Sequence, residues 1–353
     1  MRRLIPLLVL ISLGCQPGGL SPVSSQPTAA SQPSPGLVSP PAESPTSLAP
    51  AVSAAPTLTP VPPTPDPYEP YTIDFLRKRA YGGGNIEVLE KMEETDSFTR
   101  YRIRYPSDGL KIYGFVNVPK GAGPFPVIVG VHGFVDAATY QTLDYTTPAL
   151  DSITQAGYIV FHPDLRGYPP SDNGDNLFRV GMAIDVLNLI SLIKSGSGPA
   201  EVFGAAAPDE IGLWGHSMGG DVVLRVLTVS PDVKAAVLYA SMSGDETRNA
   251  QLLSAVSPDP AFQTELAAAP EVVRRISPLY YYNLITAPVQ LHHGTADLAV
   301  PVAWAEETCA ALTAADVRVE CIYYPEEDHT FRSRIIAQFG DAVLAFYRTS
   351  LSP

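Results

Sequence analysis

Two kinds of hydrophobic pattern divide the chain downstream of position 98. Thr99–Tyr105 and Leu110–Val118 alternate apolar and polar residues, which predicts two antiparallel strands joined by the turn Pro106-Ser107-Asp108-Gly109. Pro126–Val131, Tyr158–Phe161, Ile211–Trp214, Ala235–Tyr239 and Val289–Leu291 are short continuous apolar runs. Such runs suit strands buried on both faces. Helical spacing predicts Leu177–Ile193, Met218–Val229, Val302–Leu312 and Phe331–Ser350, with a first helix at Ile73–Arg79 and one more strand at Val317–Tyr324. Strands alternating with helices give a mostly parallel central sheet covered on both faces, an α/β fold. Between Met242 and Ile285, two core strands are separated by a largely helical insertion that ends in Tyr280-Tyr281-Tyr282. It predicts a small cap. Its tyrosines pack the cap onto the core, and Tyr280 and Tyr281 are also candidates to line a substrate pocket.

Upstream the pattern is not that of a fold. Arg2 and Arg3 precede the apolar run Leu4–Leu13, too short to span a bilayer, and Gly14-Cys15 ends it. This resembles a bacterial lipoprotein signal, in which cleavage before Cys15 leaves that thiol to carry lipid. Ser12 stands where such signals usually have Leu, and Leu13 is bulky; an ordinary secretory signal is the alternative. Either reading implies export, to the cell surface or periplasm as a lipoprotein and otherwise as a secreted protein. Gln16–Pro70 holds sixteen prolines and no Lys or Arg. Unable to bury a core, it reads as a disordered or polyproline-like tether reaching about 40 Å as a flexible coil. The expected organisation is therefore residues 1–15 signal, 16–70 linker and 71–353 catalytic domain, with the cap at about 242–285.

No later apolar run is long enough to cross a membrane, so membrane contact is expected only through the lipid anchor. The formal net charge of -13 argues against nucleic-acid partners. Two cysteines remain besides Cys15. Cys309 and Cys321 fall on adjacent predicted elements, where an oxidising compartment favours a bridge and two buried thiols are the alternative.

The chemistry begins at Gly215-His216-Ser217-Met218-Gly219-Gly220, which follows an apolar strand and opens a helix. That is the setting of a nucleophile elbow: small neighbours let the chain reverse sharply and lift the serine hydroxyl above the sheet. A serine hydroxyl needs a base, and the base an orienting acid. In the α/β-hydrolase fold these follow in the order Ser, acid, His. His329, between the last strand and the last helix, is the base. Asp297, on the loop His293-Gly294-Thr295-Ala296-Asp297, is the acid, and Asp328 is the runner-up. His292 and His293 read as structural, Asp316 as a helix-end residue. The oxyanion donors are the Met218 N–H and, from the loop His132-Gly133-Phe134, the Phe134 N–H; His132 holds that loop's shape. Arg166 either buttresses the elbow or meets an anionic substrate group, and Asp164 pairs locally. Neither metal nor cofactor is called for.

Val131-His132-Gly133, Asp164-Leu165-Arg166-Gly167, Gly215-His216-Ser217-Met218-Gly219-Gly220, Ser277-Pro278-Leu279, His293-Gly294-Thr295-Ala296-Asp297-Leu298-Ala299-Val300-Pro301 and Asp328-His329 together resemble the catalytic domain of the prolyl oligopeptidase family and the related dienelactone hydrolases. The resemblance implies acyl transfer to water through an acyl-enzyme on Ser217, with small peptides or amides as substrates. The alternative is a carboxylesterase on small acyl esters, and two departures weaken the peptidase reading toward an esterase or a small-peptide hydrolase. Between Tyr71 and Thr99 there is no room for the family's β-propeller, and His132 stands where propeller-bearing members often place an oxyanion-binding Tyr. From a different class, an inactive surface binding protein conflicts with the complete, correctly ordered Ser217, Asp297 and His329.

Overall fold

The computed structural model describes residues 66–144 and 146–352. The signal segment, Cys15 and the linker up to residue 65 lie outside the described residues. The chain divides into two units between Pro62 and Pro63, and every described residue belongs to the second.

Its centre is a nine-stranded sheet in the order β1-β2-β3-β5-β4-β6-β7-β8-β9. The strands are β1 (Glu87–Glu94), β2 (Phe98–Ser107), β3 (Leu110–Pro119), β4 (Phe125–Val131), β5 (Ile159–Asp164), β6 (Ala206–His216), β7 (Val233–Tyr239), β8 (Val289–Gly294) and β9 (Val319–Tyr324). The first three are antiparallel, as is the pairing of β3 with β5; β4 to β9 pair in parallel. The fold is that of an α/β-hydrolase. The β2–β3 turn is tighter than the sequence suggests. Ser107 already pairs with Leu110, leaving only Asp108 (φ 49°) and Gly109 (φ 83°) to reverse the chain. Positive φ at both central residues is what a two-residue turn of type I′ requires.

Strand β1 has no counterpart in the sequence reading. Glu-Val-Leu-Glu-Lys-Met-Glu-Glu lacks the alternation of a half-buried strand. It pairs instead through charge: Glu90 with Arg102 at 2.7 Å and Glu93 with Arg100 at 2.8 Å. A charged edge strand also resists pairing with other chains.

Ten α-helices occur among the described residues: α1 (Ile73–Leu76), α2 (Thr147–Gln155), α3 (Val180–Lys194), α4 (Ala200–Phe203), α5 (Met218–Val229), α6 (Glu246–Val256), α7 (Pro260–Leu266), α8 (Pro270–Ile276), α9 (Val302–Ala314) and α10 (Ser333–Ser350). Helices α3, α5 and α9 cover one face of the sheet, α2 and α10 the other. The helix expected from Leu177 begins only at Val180, because Phe178 (φ 53°) and Arg179 (φ 57°) take left-handed backbone. Such a pair costs about 1–3 kcal/mol per residue and persists only where its surroundings impose it. Here they do: Phe178 N–H donates to Glu265 Oε1 at 2.6 Å, and the Arg179 guanidinium pairs with Asp221, Glu265 and Glu246. Ordered contacts begin before Tyr71, since Asp66 pairs with Arg275 at 2.6 Å. The insertion after β7 is α6, α7, α8 and a 3₁₀ turn, Pro278–Leu284. Cys309 on α9 and Cys321 on β9 form a disulfide, with Cα atoms 6.4 Å apart.

Candidate active site

The elbow follows β6 directly. Ser217 has φ 56° and ψ -121°, a strained conformation for a residue with a side chain. Its main chain is pinned to the neighbouring strand: Ser217 N–H donates to the Tyr239 carbonyl, and Met242 N–H donates to the Ser217 carbonyl, each at 3.0 Å. The glycines make this possible. A Cβ at Gly219 would collide with the Val131 carbonyl, and one at Gly215 would sit 2.5 Å from the Gly219 carbonyl. The side chain of Ser217 is half-buried and reachable from solvent.

Two strands away, β8 ends in the loop carrying Asp297, and β9 ends in the loop carrying His329. His329 Nδ1 lies 2.8 Å from Asp297 Oδ2. Asp297 Oδ1 accepts from the N–H groups of Ala299 and Val300, at 2.9 and 2.8 Å. Burial works against a charged carboxylate, but the hydrogen bonds from His293 and His329 outweigh it and hold Asp297 well below the usual carboxylate range. It is an anion built to keep Nδ1 of His329 protonated and Nε2 available as acceptor. Asp328 turns away: its Oδ1 accepts from the N–H groups of Leu298 and His329, at 3.3 and 2.7 Å. Among the described residues no hydrogen bond joins Ser217 Oγ to His329. In unliganded enzymes that contact is often open and closes with substrate.

Phe134 and Met218 both line a cavity of about 890 Å³, and neither of their N–H groups has a partner among the described residues. The Phe134 loop is braced from behind. His132 is buried between the rings of Tyr140 and Tyr168, and burial lowers it to about 4, so it is neutral. Asp164 accepts from Tyr140 Oη at 2.6 Å and Thr142 Oγ1 at 2.8 Å. His292 is buried on β8, held by Gln290 and the Tyr324 hydroxyl.

Of the three candidate substrate contacts, one reaches the cavity without a free charge and two do not line it. Arg166 lines the cavity wall, but its guanidinium is occupied by Asp185, at 2.8 Å, and by the Asp175 carbonyl, at 2.9 Å. It ties the loop after β5 to α3, leaving no free cation for a substrate anion. Tyr280 and Tyr281 are not among the cavity's lining. Tyr280 is exposed beneath Arg274, while the cap contributes Leu253, residues 256–262 and Glu265 instead. The 3₁₀ turn carries Tyr282 inward, and its two neighbours therefore point elsewhere.

His293 gains importance over its sequence reading. Its Nε2 lies 3.0 Å from the Val300 carbonyl and 3.2 Å from Asp297 Oδ2, so it bonds the acid as well as the loop. Its spacing four residues before Asp297 was the available signal. Arg179 and Glu265, which line the cavity, belong to a buried charge cluster in which Arg179 and Arg225 face Asp221, Glu246 and Glu265. Burial raises Asp221 within that cluster.

Residues 200–352 match the prolyl oligopeptidase family. That match covers less than half of the chain; together with the following relatives it supports a serine hydrolase, a peptidase or an esterase. It is 25% identical over 234 residues to dipeptidyl peptidase family member 6 of Caenorhabditis elegans, covering 60% of this chain and 29% of that protein. It is 23% identical over 240 residues to a candidate carboxymethylenebutenolidase of Synechocystis, covering 65% of this chain and 85% of the relative. Among solved structures, acetyl xylan esterase 1 of a Thermoanaerobacterium species superposes with a TM-score of 0.58 at 16% identity, over 81% of this chain and 93% of the esterase. The chain thus spans under a third of the nematode peptidase.

Proposed function

We propose that this domain hydrolyses small peptides or amides through an acyl-enzyme on Ser217. His329 Nε2 takes the Ser217 hydroxyl proton as Oγ attacks the carbonyl carbon. The N–H groups of Met218 and Phe134 receive the oxyanion. Protonated His329, steadied by Asp297, hands its proton to the leaving nitrogen as the C–N bond breaks. Water then repeats the sequence and releases the acid. The observation that carries the reading is the His329–Asp297 hydrogen bond of 2.8 Å, on loops at the same strand ends as the strained Ser217.

The cavity bears on substrate. Its acidic groups are Asp136, Asp175, Asp259 and Glu265, and its two arginines are each paired with carboxylates. This disfavours substrates with a free carboxylate and suits neutral or cationic acyl groups. A carboxylesterase is the second reading, favoured because one domain's own cap encloses the cavity. Aminoacyl nitroanilides assayed beside p-nitrophenyl esters separate the two. Ser217→Ala should abolish turnover and fluorophosphonate labelling while leaving the fold intact. A variant retaining a tenth of wild-type activity would exclude Ser217 as nucleophile.

A further inference from the structure

Residues 66–71 lie outside the catalytic cavity, yet they are bonded to two of its sides. Residues 173–177 and Arg179 form one wall of the cavity, and α6 and α7 of the cap contribute another. Tyr71 Oη donates to Asp175 Oδ2 on the first wall. The ring of Tyr68 stands edge-on to that of Phe178, with centroids 6.5 Å apart. From the same segment Asp66, at 2.6 Å, and Glu69 pair with Arg275 of α8, the cap helix that packs on α6.

This strap has a fixed point of its own. Helix α1 follows it, with Ile73 and Leu76 fully buried, and Arg77 Nη1 donates to the Thr228 carbonyl at 2.6 Å. Thr228 lies near the end of α5, the helix that Ser217 opens. Wall and cap are thereby tied to the element that carries the proposed nucleophile.

The wall needs such a tie. Two of its side chains bond only to their own stretch of main chain: Asn173 Oδ1 accepts from the Gly174 N–H at 2.9 Å, and Asp175 Oδ1 from the Leu177 N–H at 3.4 Å. These bonds hold the loop's shape but not its place. Place is fixed from outside. Arg166 donates to the Asp175 carbonyl at 2.9 Å, Glu265 accepts from the Phe178 N–H at 2.6 Å, and Tyr71 donates to the Asp175 carboxylate. Arg166 and Glu265 line the cavity themselves, whereas Tyr71 does not. Burial, and then the bond to Asp175, push the Tyr71 hydroxyl up to about 12, so it stays a donor at any working pH.

We propose that Tyr71 is a positioning residue for substrate: through Asp175 it holds the loop 173–179 in place, and so sets how well the cavity receives an acyl group large enough to reach that wall. The proposal rests on the reading of Ser217 as the nucleophile. A wall in place for only part of the time weakens apparent binding by that fraction and leaves the chemistry at Ser217 untouched.

The test compares p-nitrophenyl acetate, whose acyl group carries a single methyl, with p-nitrophenyl 4-phenylbutyrate, whose acyl group extends into a cavity of about 890 Å³. Tyr71→Phe deletes one hydroxyl. It should lower kcat/KM for the phenylbutyrate about fivefold more than for the acetate, the factor that one hydrogen bond supplies, with the loss in KM rather than kcat. Asp175→Ala removes the same bond from its other end. In that background Tyr71→Phe should cost less than twofold further, because the two residues share one interaction. Equal losses with the two esters, or a further fivefold loss in the double variant, would overturn the proposal. Hydrogen exchange reads the wall without reference to activity. In Tyr71→Phe the amides of residues 173–179 should exchange at least threefold faster while those of α5 keep their wild-type rates. Unchanged exchange at the wall would overturn the proposal whether or not either ester is turned over. A wild type that hydrolyses neither ester and takes no fluorophosphonate label faults the proposed hydrolase instead, and the exchange measurement still decides whether Tyr71 holds the wall.

Discussion

Around Ser217 the constraints are mainly steric, made by main-chain atoms of the elbow itself and of the end of β4. Around His329 they are hydrogen bonds, made by side chains from β7, β8 and the loops that follow β8 and β9. The elbow needs Gly215 and Gly219 because a carbonyl already occupies the space of each missing Cβ. The acid–base pair needs Asp297 to be held at both oxygens, by Ala299, Val300, His293 and His329. A steric constraint is all-or-none and can be written in six consecutive residues. A hydrogen-bonded one is graded and spread along the chain. The two halves should therefore respond differently to small substitutions: loss of stability at the elbow, and loss of rate with the fold retained at the pair.

The sharpest case is Asp297→Asn. The side chain keeps its shape, so folding should change little. The amide, however, no longer holds the imidazole in the tautomer that leaves Nε2 free. We expect kcat to fall about 10⁴-fold. Steady-state kinetics beside a thermal melt checks both halves of the statement, and a loss below tenfold would mean another group orients His329.

Gly219→Ala sets the elbow against this. One added methyl meets the Val131 carbonyl, a main-chain atom that cannot step aside. Overpacking of this kind costs about 3 kcal/mol, seen as a lower urea midpoint. Gly340→Ala serves as its control, because a Cβ there meets nothing and alanine favours helix by about 0.5–1 kcal/mol.

Asp164 breaks the tidiness of the comparison, since it is a side-chain device on the elbow's side, bracing the loop of the Phe134 donor. Burial raises it from 3.8 to about 6, despite the hydrogen bonds from Tyr140 and Thr142 that favour its charge. Its folded value lies above its unfolded one, so its contribution to stability is fully present below the ordinary Asp range and is lost as pH rises through about 6. Asparagine does not titrate. The stability difference between wild type and Asp164→Asn should therefore shift against the wild type by about 3 kcal/mol between pH 3 and pH 7. Denaturant melts across that range test it, and a pH-independent difference would mean that folding leaves the affinity of Asp164 for its proton unchanged.

The same contrast governs what the sequence discloses. The parallel strands, α5 and the elbow are legible because continuous apolar runs and a six-residue motif carry them. Asp297 and His329 are legible as loop positions in the right order, though their contact is made across two strands. The left-handed pair Phe178–Arg179 is hidden, because it depends on Asp221, Glu246 and Glu265 arriving from α5, α6 and α7. Strand β1 is hidden because its pairing is ionic rather than apolar. Helix α2, nine residues with Leu150 and Ile153 as its large buried side chains, is too short to show a period. The pocket's cap residues could not be told from Tyr280 and Tyr281, because the turn that points Tyr282 inward is set by packing against Gly244.

The smallest effect should come from Asp328→Asn. Asp328 is the neighbour of His329 and a carboxylate, and nothing in the sequence alone forbids it from serving the imidazole. In the structure its Oδ1 accepts two main-chain N–H groups, those of Leu298 and His329, and it gives no oxygen to the ring. Asparagine has an acceptor oxygen at the same place and can keep both bonds. What it loses is one charge on an exposed loop, where interactions are worth about 0–1 kcal/mol. We expect kcat/KM within about threefold of wild type, since about 0.6 kcal/mol corresponds to that ratio. Measured beside Asp297→Asn under identical conditions, the pair gives a ranking. A larger loss at Asp328 than at Asp297 would transfer the role of the acid from the β8 loop to the residue beside the base, and with it the claim that this half of the site is assembled from a distance.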